Sequence, residues 1–443
     1  MPPAMRSTSI IAIANYLRVT TVITMAVSTP RWKHTHGSIF FACLFYVLLL
    51  SSCGGSGSST DQNGEVSTNN SSPQDGNSGV LTSSLIFSDD NLAQCVREEA
   101  EYIRDLKRLS CSSRTIISLD GLEALSESPL QTLTLDNNLI SDLAPLSELT
   151  SLTKLTLNDN NIVDLTPLST LTELKSLNIN NNQVSKLNPL SQLEQMEALY
   201  SDQNEVAELN GLDQLTALQS LSLENNLISN LAPLDELVNL EVLSLNNNQI
   251  SNLVPLSELV NIAQLRLNGN QIDDLSPLII LTHLSTLTLE SNQIDDIGPL
   301  SALTQLKALN LNNNNIADLT PLTGLDQLFQ LDLNNNNIVD LLPLANLAGF
   351  ISNLEEDSEG ALLSLERNQI IDVGPLAGLF NTRWLRLNEN AITDITALSS
   401  LQLWELHLEG NNEIPCAQLS SLETTYDSTT NGATSIYYAG CTN

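Results

Sequence analysis

The sequence predicts an α/β repeat solenoid, with short parallel strands on a concave face, 3₁₀-like turns on a convex face and a cap at each end. The first observation behind this prediction is an asparagine that recurs every 22 residues along much of the chain. The second is a leucine pattern around each asparagine, of which Leu152-x-x-Leu155-x-Leu157-x-x-Asn160 is one copy. The third is an aromatic content of only 4%, because a core built mainly from leucine indicates one unit repeated many times.

The first half of each unit predicts a strand that ends at the asparagine. Leu155 and Leu157 alternate, so both point inward while residues 154, 156 and 158 point outward. The amide of Asn160 carries two donors and an acceptor that can satisfy backbone groups at the turn. Stacked coils would make these side chains a buried ladder. The ladder positions are Asn138, Asn160, Asn182, Asn204, Asn226, Asn248, Asn270, Asn292, Asn314, Asn336, Asn368, Asn390 and Asn411.

The second half of each unit predicts a tight helical turn. Pro167 lacks an N–H group, which suits the first position of such a turn, and Thr166 before it suits a cap. Leu168, Leu171 and Leu174 then recur every three residues, which matches a 3₁₀ turn better than an α-helix. No coil can bury its leucines alone, so neighbouring coils and end caps must cover them.

The complete unit resembles the 22-residue leucine-rich repeat of the internalins, over about 280 residues and about 13 coils between residues 130 and 411. The resemblance implies a leucine-rich-repeat horseshoe whose concave face binds a protein partner. The contact residues of that family do not carry over, because only the framework positions match.

The N-terminal segment is typical of an export signal. A short basic stretch precedes an apolar run from Ile39 to Leu50, which is too short to span a bilayer but suits a signal-peptide core. Residues 1–52 are therefore expected to be removed, and Met25 is an alternative start. Leu50-Ser51-Ser52-Cys53 resembles the bacterial lipobox, which implies lipidation of Cys53. An ordinary secretory signal with an incidental cysteine remains the alternative.

The segment after Cys53 predicts a flexible linker. Residues 53–80 hold the expected lipidated cysteine and a Ser/Gly/Asn-rich stretch with almost nothing to bury. Such a tether reaches roughly 30 Å. The glycine at position 54, rather than aspartate, implies by resemblance to Gram-negative lipoproteins an outer-membrane destination.

Both ends of the solenoid carry a predicted cap. Residues 81–129 predict an amphipathic helix, opening near Phe87 and running to about Leu109, then a degenerate first coil with Arg114 in place of the asparagine. Residues 412–443 form the C-terminal cap. Strands stack about 4.8 Å apart, so roughly 60 Å separates the caps. A disulfide needs Cα atoms within about 7 Å, which leaves only Cys95–Cys111 and Cys416–Cys441, with free thiols as the alternative.

Charge and composition exclude several functional classes. The net charge of −34 argues against nucleic acid, whose phosphates require basic contacts, and against lying on anionic lipid. Solubility alone would also account for the acidity. Beyond residue 52 only His283 and His407 remain, so a His/Cys zinc site is not expected. The sequence contains no G-x-S-x-G or P-loop motif, so we expect neither an enzyme nor a cofactor.

Outward strand positions are the predicted partner site. Early coils place small polar residues there, whereas later coils place large and charged ones. An exposed Trp beside Arg is typical of interface hot spots; the alternative is that Trp384 packs locally. The candidates are Tyr200, Arg266, Glu366, Arg367, Trp384, Arg386, Glu405 and His407, with Glu224 and Glu409 as further charged positions.

Two departures from the simple repeat offer further hypotheses. Ten extra residues near 350–359 include four acidic ones, and such insertions form loops that either bind partners or merely bulge. Aspartates also recur before the turn prolines, and stacked carboxylates repel, which a Ca²⁺ ion would relieve. A solvated edge is the alternative to calcium at Asp274, Asp296, Asp318 and Asp340, so the sequence predicts no firm metal site.

The sequence therefore favours a monomeric, exported, lipid-anchored binding protein of the bacterial cell envelope, at the outer membrane or cell surface. Its expected partner is a protein, and its contact with the membrane is through the lipid alone. A glycan-binding or structural envelope protein is the alternative. A cytosolic regulatory repeat protein conflicts with the signal and the disulfides.

Overall fold

The computed structural model describes residues 80–351, 360–429 and 434–442. The predicted signal peptide, Cys53, the linker up to residue 79 and most of the predicted insertion lie outside these residues. In the described part, fifteen strands form one sheet in chain order, with every neighbouring pair parallel. This architecture, with 3₁₀ turns between strands, confirms the predicted leucine-rich-repeat solenoid. No helix within the described ranges has the length and apolar character needed to cross a membrane.

The strands are short and nearly uniform. They are β1 Arg108–Ser110, β2 Thr132–Thr134, β3 Lys154–Thr156, β4 Ser176–Asn178, β5 Ala198–Tyr200, β6 Ser220–Ser222, β7 Val242–Ser244, β8 Gln264–Arg266, β9 Thr286–Thr288, β10 Ala308–Asn310, β11 Gln330–Asp332, β12 Ala361–Ser364, β13 Thr382–Arg386, β14 Glu405–His407 and β15 Ser435–Tyr437.

Three α-helices and a series of 3₁₀ turns complete the described elements. The α-helices are α1 Asp90–Glu99, α2 Ala348–Ile351 and α3 Cys416–Thr429. The 3₁₀ turns are Thr82–Ser84, Ile103–Asp105, Leu122–Leu125, Ala144–Leu146, Thr166–Thr170, Asn188–Gln192, Leu212–Gln214, Ala232–Leu234, Val254–Leu256, Ser276–Leu278, Gly298–Ala302, Thr320–Leu322, Leu342–Leu344, Gly374–Gly378 and Thr396–Ser400.

The core is a continuous column of leucine and isoleucine. The central leucine of each strand pairs in register with those beside it, as Leu133, Leu155 and Leu177 do, and each of these is fully buried. Each coil thus buries its neighbour's apolar side, and truncating one such leucine to alanine typically costs about 2–5 kcal/mol. The repeat is therefore stable only as a stack.

The asparagines form a hydrogen-bonded ladder between coils. Asn248 shows the pattern: its Nδ2 donates to the carbonyls of Leu223 (2.9 Å) and Leu245 (3.1 Å), and its Oδ1 accepts from Ile228 N–H (3.0 Å). Two coils are thereby joined through one side chain. The ladder side chains are buried except for Asn292 and Asn390, which are half-buried.

A residue with left-handed backbone precedes every ladder asparagine. This geometry favours Gly, Asn and Asp, which explains a second 22-residue recurrence that the sequence analysis did not use. The residues are Asn137, Asp159, Asn181, Gln203, Asn225, Asn247, Gly269, Ser291, Asn313, Asn335, Arg367, Glu389 and Gly410, with φ between 52° and 81°.

The expected capping of the 3₁₀ turns is wrong in one detail. Thr166 is the first residue of its turn, Pro167 is the second, and the preceding Leu165 provides no side-chain cap. The backbone N–H of Thr166 instead donates to Asp164 Oδ1 at 2.9 Å. The same replacement holds for Ser276 and Thr320, whose backbone N–H groups donate to Asp274 and Asp318 at 2.8 Å. Aspartates at this position thus cap the turns, and we call them the acidic column: Asp142, Asp164, Asp274, Asp296, Asp318, Asp340, Asp372 and Asp394.

The helix of the N-terminal cap is shorter than expected. Asp89 caps α1 by accepting from the N–H groups of Asn91 and Leu92, and its second oxygen accepts from Ile117 N–H in the first coil. The helix ends at Glu99, because Ala100 has extended backbone. The stretch expected to continue it to Leu109 instead forms a 3₁₀ turn and strand β1. That change gives the first coil a strand for β2 to pair with.

Disulfides close both caps. Cys95 on α1 bonds to Cys111 after β1, with Cα atoms 5.7 Å apart, and Cys416 on α3 bonds to Cys441, with Cα atoms 5.0 Å apart. These are the two pairs that the distance argument favoured. Tyr426 on α3 is buried and donates its hydroxyl to the carbonyl of Leu398 at 2.8 Å, so α3 covers the last core leucines.

Candidate functional site

The strand face presents three outward positions per coil. Two lie on the strand, as Thr132 and Thr134 do on β2, and the third follows it, as Asp136 does. All the predicted candidates lie at such positions except Arg367, which is in the left-handed turn after β12. The backbone positions of the strand face thus repeat regularly, and only the side chains differ from coil to coil.

The third outward position carries a ladder that the sequence analysis missed. Asn158 N–H donates to Asp136 Oδ1 at 2.8 Å, and Asn180 N–H donates to Asn158 Oδ1 at 2.9 Å. A side-chain oxygen on one coil thus accepts from the backbone of the next. The same bond is made by Asn180, Asp202, Asn246, Asn268, Asn312, Asn334 and Asn388. Asn and Asp recurring at these positions was the available signal.

The middle coils carry a partly buried acidic pair. Asp202 Oδ1 accepts from Ser222 Oγ (2.6 Å) and from Glu224 N–H (2.7 Å). Burial raises the pKa of Asp202, and burial together with the charge of Asp202 raises the pKa of Glu224, although Arg266 opposes that rise. Arg266 lies two strands away from Glu224 and also donates to Ser244 Oγ at 3.2 Å. Burial therefore disfavours the ionised forms of Asp202 and Glu224.

The predicted candidates do not form one cluster. Tyr200 lies on β5 and Arg266 on β8, whereas Trp384 and Arg386 lie on β13. At about 4.8 Å per strand, Tyr200 and Trp384 are roughly 40 Å apart. Any partner that touches all of them must cover most of the sheet.

The C-terminal coils do bring candidates together, around aromatic side chains. Trp384 packs edge-to-face against Trp404, with ring centroids 5.0 Å apart. His407 stacks on Tyr437, with centroids 4.4 Å apart and planes inclined by 21°. Trp384 is half-buried, so it packs locally, while Trp404 is 42% exposed and Tyr437 is 43% exposed. We call Trp384, Trp404, His407 and Tyr437 the aromatic cluster.

Two members of the aromatic cluster escaped the sequence analysis. Trp404 lies immediately before β14, and Tyr437 lies on β15 within the C-terminal cap. The cap strand pairs with β14 in register, which places Tyr437 beside His407. Neither residue has the spacing of the repeat, so only the fold of the cap reveals their position.

Charged candidates surround the aromatic cluster. Arg386 is half-buried and donates no hydrogen bond to another described residue, although its charge partly opposes the rise in the pKa of Asp332 that burial causes. Glu405 Oε2 is 3.7 Å from His407 Nε2. Arg367 forms a two-contact ion pair with Glu389, both at 3.0 Å, and this pair joins two exposed left-handed turns. Of these two arginines, Arg386 is therefore the one available to a partner, because Arg367 is already paired with Glu389.

A groove beside the strand face contains His283. It lies at the N-terminal ends of neighbouring strands and is lined by residues including Glu197, Glu241 and His283. His283 Nδ1 is 3.0 Å from the carbonyl oxygen of Val260, and Asn261 at the equivalent position donates to the carbonyl of Val238 at 2.8 Å. These side chains therefore join adjacent coils, which gives them a structural role.

The acidic column and the other titratable residues that the structure describes do not gather into a metal site. Within the part of the chain that the structure describes, no group of three or more His, Cys, Asp or Glu side chains is placed to hold a metal ion. Bonds within the turn hold the pKa of Asp274 and Asp318 below the usual value, mainly the backbone N–H of Ser276 and the hydroxyl of Thr320 respectively. Hydrogen bonds within the turns therefore hold these carboxylates in place.

Comparison with known proteins identifies the repeats. The family model described as leucine-rich repeats, in two copies, matches residues 150–192, 238–280 and 282–324. The search of curated proteins found no match.

Solved structures extend the likeness to the whole solenoid. A leucine-rich-repeat protein of Leptospira interrogans is 22% identical, with a TM-score of 0.61, over 75% of this chain and 96% of its own. The functional domain of InlJ from Listeria monocytogenes is 21% identical, with a TM-score of 0.52, over 73% of this chain and 80% of its own. Both support the fold.

The internalin InlF of Listeria monocytogenes adds sequence identity to that likeness. It is 30% identical, with a TM-score of 0.59, over 70% of this chain and 97% of its own. Nearly the entire solved internalin is therefore matched at a level that exceeds shared fold. The chain belongs to the internalin family of leucine-rich-repeat proteins.

Proposed function

We propose that this chain is a non-catalytic binding protein of the bacterial cell envelope that engages a protein partner through its concave strand face. The observation that carries the proposal is the aromatic cluster beside Arg386 on an otherwise polar sheet. Trp, Tyr and Arg are the residue types enriched at interface hot spots. Family membership is consistent with surface recognition, whether in adhesion or in another contact.

The dimensions of the strand face support such a role. Fifteen strands at about 4.8 Å give a sheet of roughly 70 Å. A standard interface needs about 800 Å² from each partner. The C-terminal coils alone can supply a large part of this area, with the aromatic cluster at its centre and Glu366, Glu405 and Glu409 at its edge.

The proposed location rests on the N-terminal sequence and the disulfides. Disulfides form in oxidising compartments outside the cytoplasm, and the structure contains one in each cap. We propose export, lipidation at Cys53 and display of a monomeric solenoid on the flexible linker, at the outer membrane or cell surface. Mass spectrometry of the mature N-terminus would test this, because a diacylglyceryl adduct on Cys53 is expected, and an unmodified Cys53 would contradict the anchor.

Capture of partners provides the test of binding. The mature protein, immobilised through its linker, is exposed to envelope extracts and to host-cell lysates. We expect at least one protein to be retained by wild type and lost with Trp384→Ala/Arg386→Ala. The matched control is Thr132→Ala/Thr134→Ala, which alters the same strand positions on β2. Equal recovery by wild type and the C-terminal variant would show that the aromatic cluster is not the binding site.

Trp fluorescence gives a second, site-specific measurement. Of the three tryptophans in the chain, only Trp384 and Trp404 follow residue 52. The intrinsic fluorescence of the mature protein therefore reports the aromatic cluster directly. A captured partner should change the emission on titration, and saturable capture without that change would place the interface elsewhere.

Glycan binding is a second candidate, favoured by the exposure of Trp404. Sugar sites commonly use a stacking aromatic ring beside polar side chains, and Trp404 is 42% exposed. Titration with purified envelope glycan fragments, monitored by Trp fluorescence, distinguishes glycan binding from protein binding. A saturable change that Trp404→Ala abolishes would favour a glycan over a protein.

A further inference from the structure

A second polar feature lies on the strand face, two to four coils before the aromatic cluster. It comprises Thr288 and Glu290 on the β9 coil, Asn310 on β10 and Asp332 on β11. The register of the sheet aligns Thr288, Asn310 and Asp332 side by side on adjacent strands. We call these four residues the acceptor site.

Hydrogen-bond acceptors outnumber donors in the acceptor site. Glu290 Oε2 accepts from Asn310 Nδ2 and its Oε1 accepts from Asn313 Nδ2, both at 3.1 Å, and Asp332 Oδ2 accepts from Gln330 Nε2 at 3.1 Å. These amides are neutral. None of the outward positions of β9, β10 or β11 is a Lys or Arg. Among the described residues, neither carboxylate forms an ion pair with a Lys or Arg side chain.

The nearest cations on the face are held apart from these carboxylates. Arg266, beside Thr288 on β8, directs its guanidinium to Ser244 Oγ (3.2 Å) and Gln264 Oε1 (2.9 Å). Arg386 is separated from Asp332 by the strand bearing Ser364, which is fully buried. Burial and the charge of Glu290 raise the pKa of Asp332, and Arg386 only partly opposes this.

The side chain of Thr288 provides an independent observation at the acceptor site. Thr288 is only 4% exposed, and its hydroxyl has no hydrogen-bond partner although it belongs to an outward-facing strand position. A buried polar group without a partner costs about 1–3 kcal/mol. The fold keeps this unpartnered hydroxyl two residues before Glu290 and one strand from Asn310. It thereby retains an unfavourable arrangement at the edge of the acceptor site that a donor from a bound ligand would relieve.

We propose that the acceptor site receives a basic side chain, Lys or Arg, from the protein partner. An ammonium carries three donors and a guanidinium five, which matches a site rich in carboxylate and amide oxygens. Hydrogen bonds between ionised groups are roughly twice as strong as neutral ones. Together with the aromatic cluster, the site selects a partner whose contact surface is basic. This inference rests on the proposed function.

Small cationic probes test the site without the partner. The mature protein, labelled with ¹⁵N, is titrated with N-acetyl-arginine amide, N-acetyl-lysine amide and uncharged N-acetyl-glutamine amide. We expect saturable shifts of the Asn310 side-chain amide with the two cations and none with the glutamine amide. Glu290→Gln/Asp332→Asn should weaken cation binding at least about tenfold, the scale of one lost charge-assisted bond. The matched control Asp136→Asn, at the N-terminal end of the face, should bind like wild type.

Thr288→Val separates a binding role from a structural one. The substitution keeps the shape and removes the unpartnered hydroxyl, so the free protein should be as stable or more stable. We expect weaker cation binding in the same variant. Loss of stability with unchanged cation binding would overturn the role of Thr288.

The outcomes for the site and for the function are distinct. Absent shifts with both cations, or equal shifts in wild type and Glu290→Gln/Asp332→Asn, would overturn the acceptor site. Capture of a partner that depends on Trp384 and Arg386 would still stand in that case. Conversely, cation binding at the acceptor site with no captured partner would contradict the proposed function.

Discussion

The N-terminal and C-terminal coils of this solenoid share a framework and differ in what they expose. On β2 to β4 the outward strand positions hold mainly Thr, Ser and Asn, whereas on β13 and β14 they hold Trp, Arg, Glu and His. Beneath both surfaces the leucines are buried and the ladder bonds have nearly the same lengths. The comparison teaches that the positions that stabilise the repeat are distinct from those at which we propose recognition.

The largest effects should come from the framework and should be equal in the two regions. Asn160→Ala and Asn368→Ala each leave buried backbone groups of two coils without partners. At about 1–3 kcal/mol for each such group, the free energy of unfolding should fall by roughly 3 kcal/mol or more in both variants. Urea denaturation followed by circular dichroism provides the measurement.

An exposed asparagine supplies the control for the ladder. Asn161→Ala alters the neighbouring turn, where the side chain is exposed, and should change stability by less than about 0.5 kcal/mol. A loss at Asn160 much smaller than at Asn368 would show that the framework is not equivalent along the solenoid.

The caps offer the next contrast. Cys95–Cys111 joins residues 16 apart in sequence and Cys416–Cys441 joins residues 25 apart. Removing either disulfide should lower the free energy of unfolding by about 3 kcal/mol. Their exposure differs, since Cys95 and Cys111 are fully buried whereas Cys441 is exposed. Access controls thiol exchange, so dithiothreitol should reduce Cys416–Cys441 first. Alkylation followed by peptide mass spectrometry measures the order, and earlier reduction of Cys95–Cys111 would contradict it.

The sequence was sufficient to predict the fold because the same leucine and asparagine spacing recurs from coil to coil. Leucine spacing predicted strands and 3₁₀ turns, since a coil buries the same positions each time. Prediction from the sequence failed where a side chain makes a hydrogen bond to the backbone of the neighbouring coil. The oxygens of Asp136 and Asn158 looked like solvent-facing side chains until the fold placed the next coil's N–H beside them.

The candidate site was less predictable for a related reason. Trp384 and Arg386 occupy repeat positions, so the sequence identified them. Trp404 and Tyr437 depend on how the cap pairs with β14, which no spacing encodes. The end of α1 at Glu99 shows the same limit, because the stretch that follows contains β1, whose pairing with β2 is a contact distant in sequence.

Charge on the strand face gives a smaller contrast. Burial raises the pKa of Asp332 in the folded protein, so its ionised form opposes folding at neutral pH. Asp332→Asn should therefore stabilise the protein at pH 7, because it removes a charge whose ionised form is disfavoured by burial. The gain should shrink as pH falls through the raised pKa, because wild-type Asp332 then becomes protonated. Thermal unfolding at pH 7 and pH 4 measures this.

The N-terminal coils supply the matched comparison for that charge. Both oxygens of Asp136 accept hydrogen bonds, from Asn158 N–H at 2.8 Å and Thr156 Oγ1 at 2.9 Å. Asp136→Asn should therefore bring no stabilisation at pH 7. Equal stabilisation by the two substitutions would mean that the overall negative charge, rather than the local site, is responsible.

The smallest effect is expected at the acidic column, which runs through both regions. Asn230 and Asn252 occupy the same position as the aspartates and accept the same bond, from the N–H of Ala232 and Val254 at 3.0 Å. Replacing Asp274, Asp296, Asp318 and Asp340 together by Asn should therefore lower the melting temperature at pH 7 only slightly, because these exposed carboxylates lose just the small stabilisation that the lowered pKa of Asp274 and Asp318 reflects. Millimolar Ca²⁺ should shift neither protein. If Ca²⁺ raised the melting temperature of wild type but not of the fourfold variant, the column would be a cation site rather than a set of turn caps.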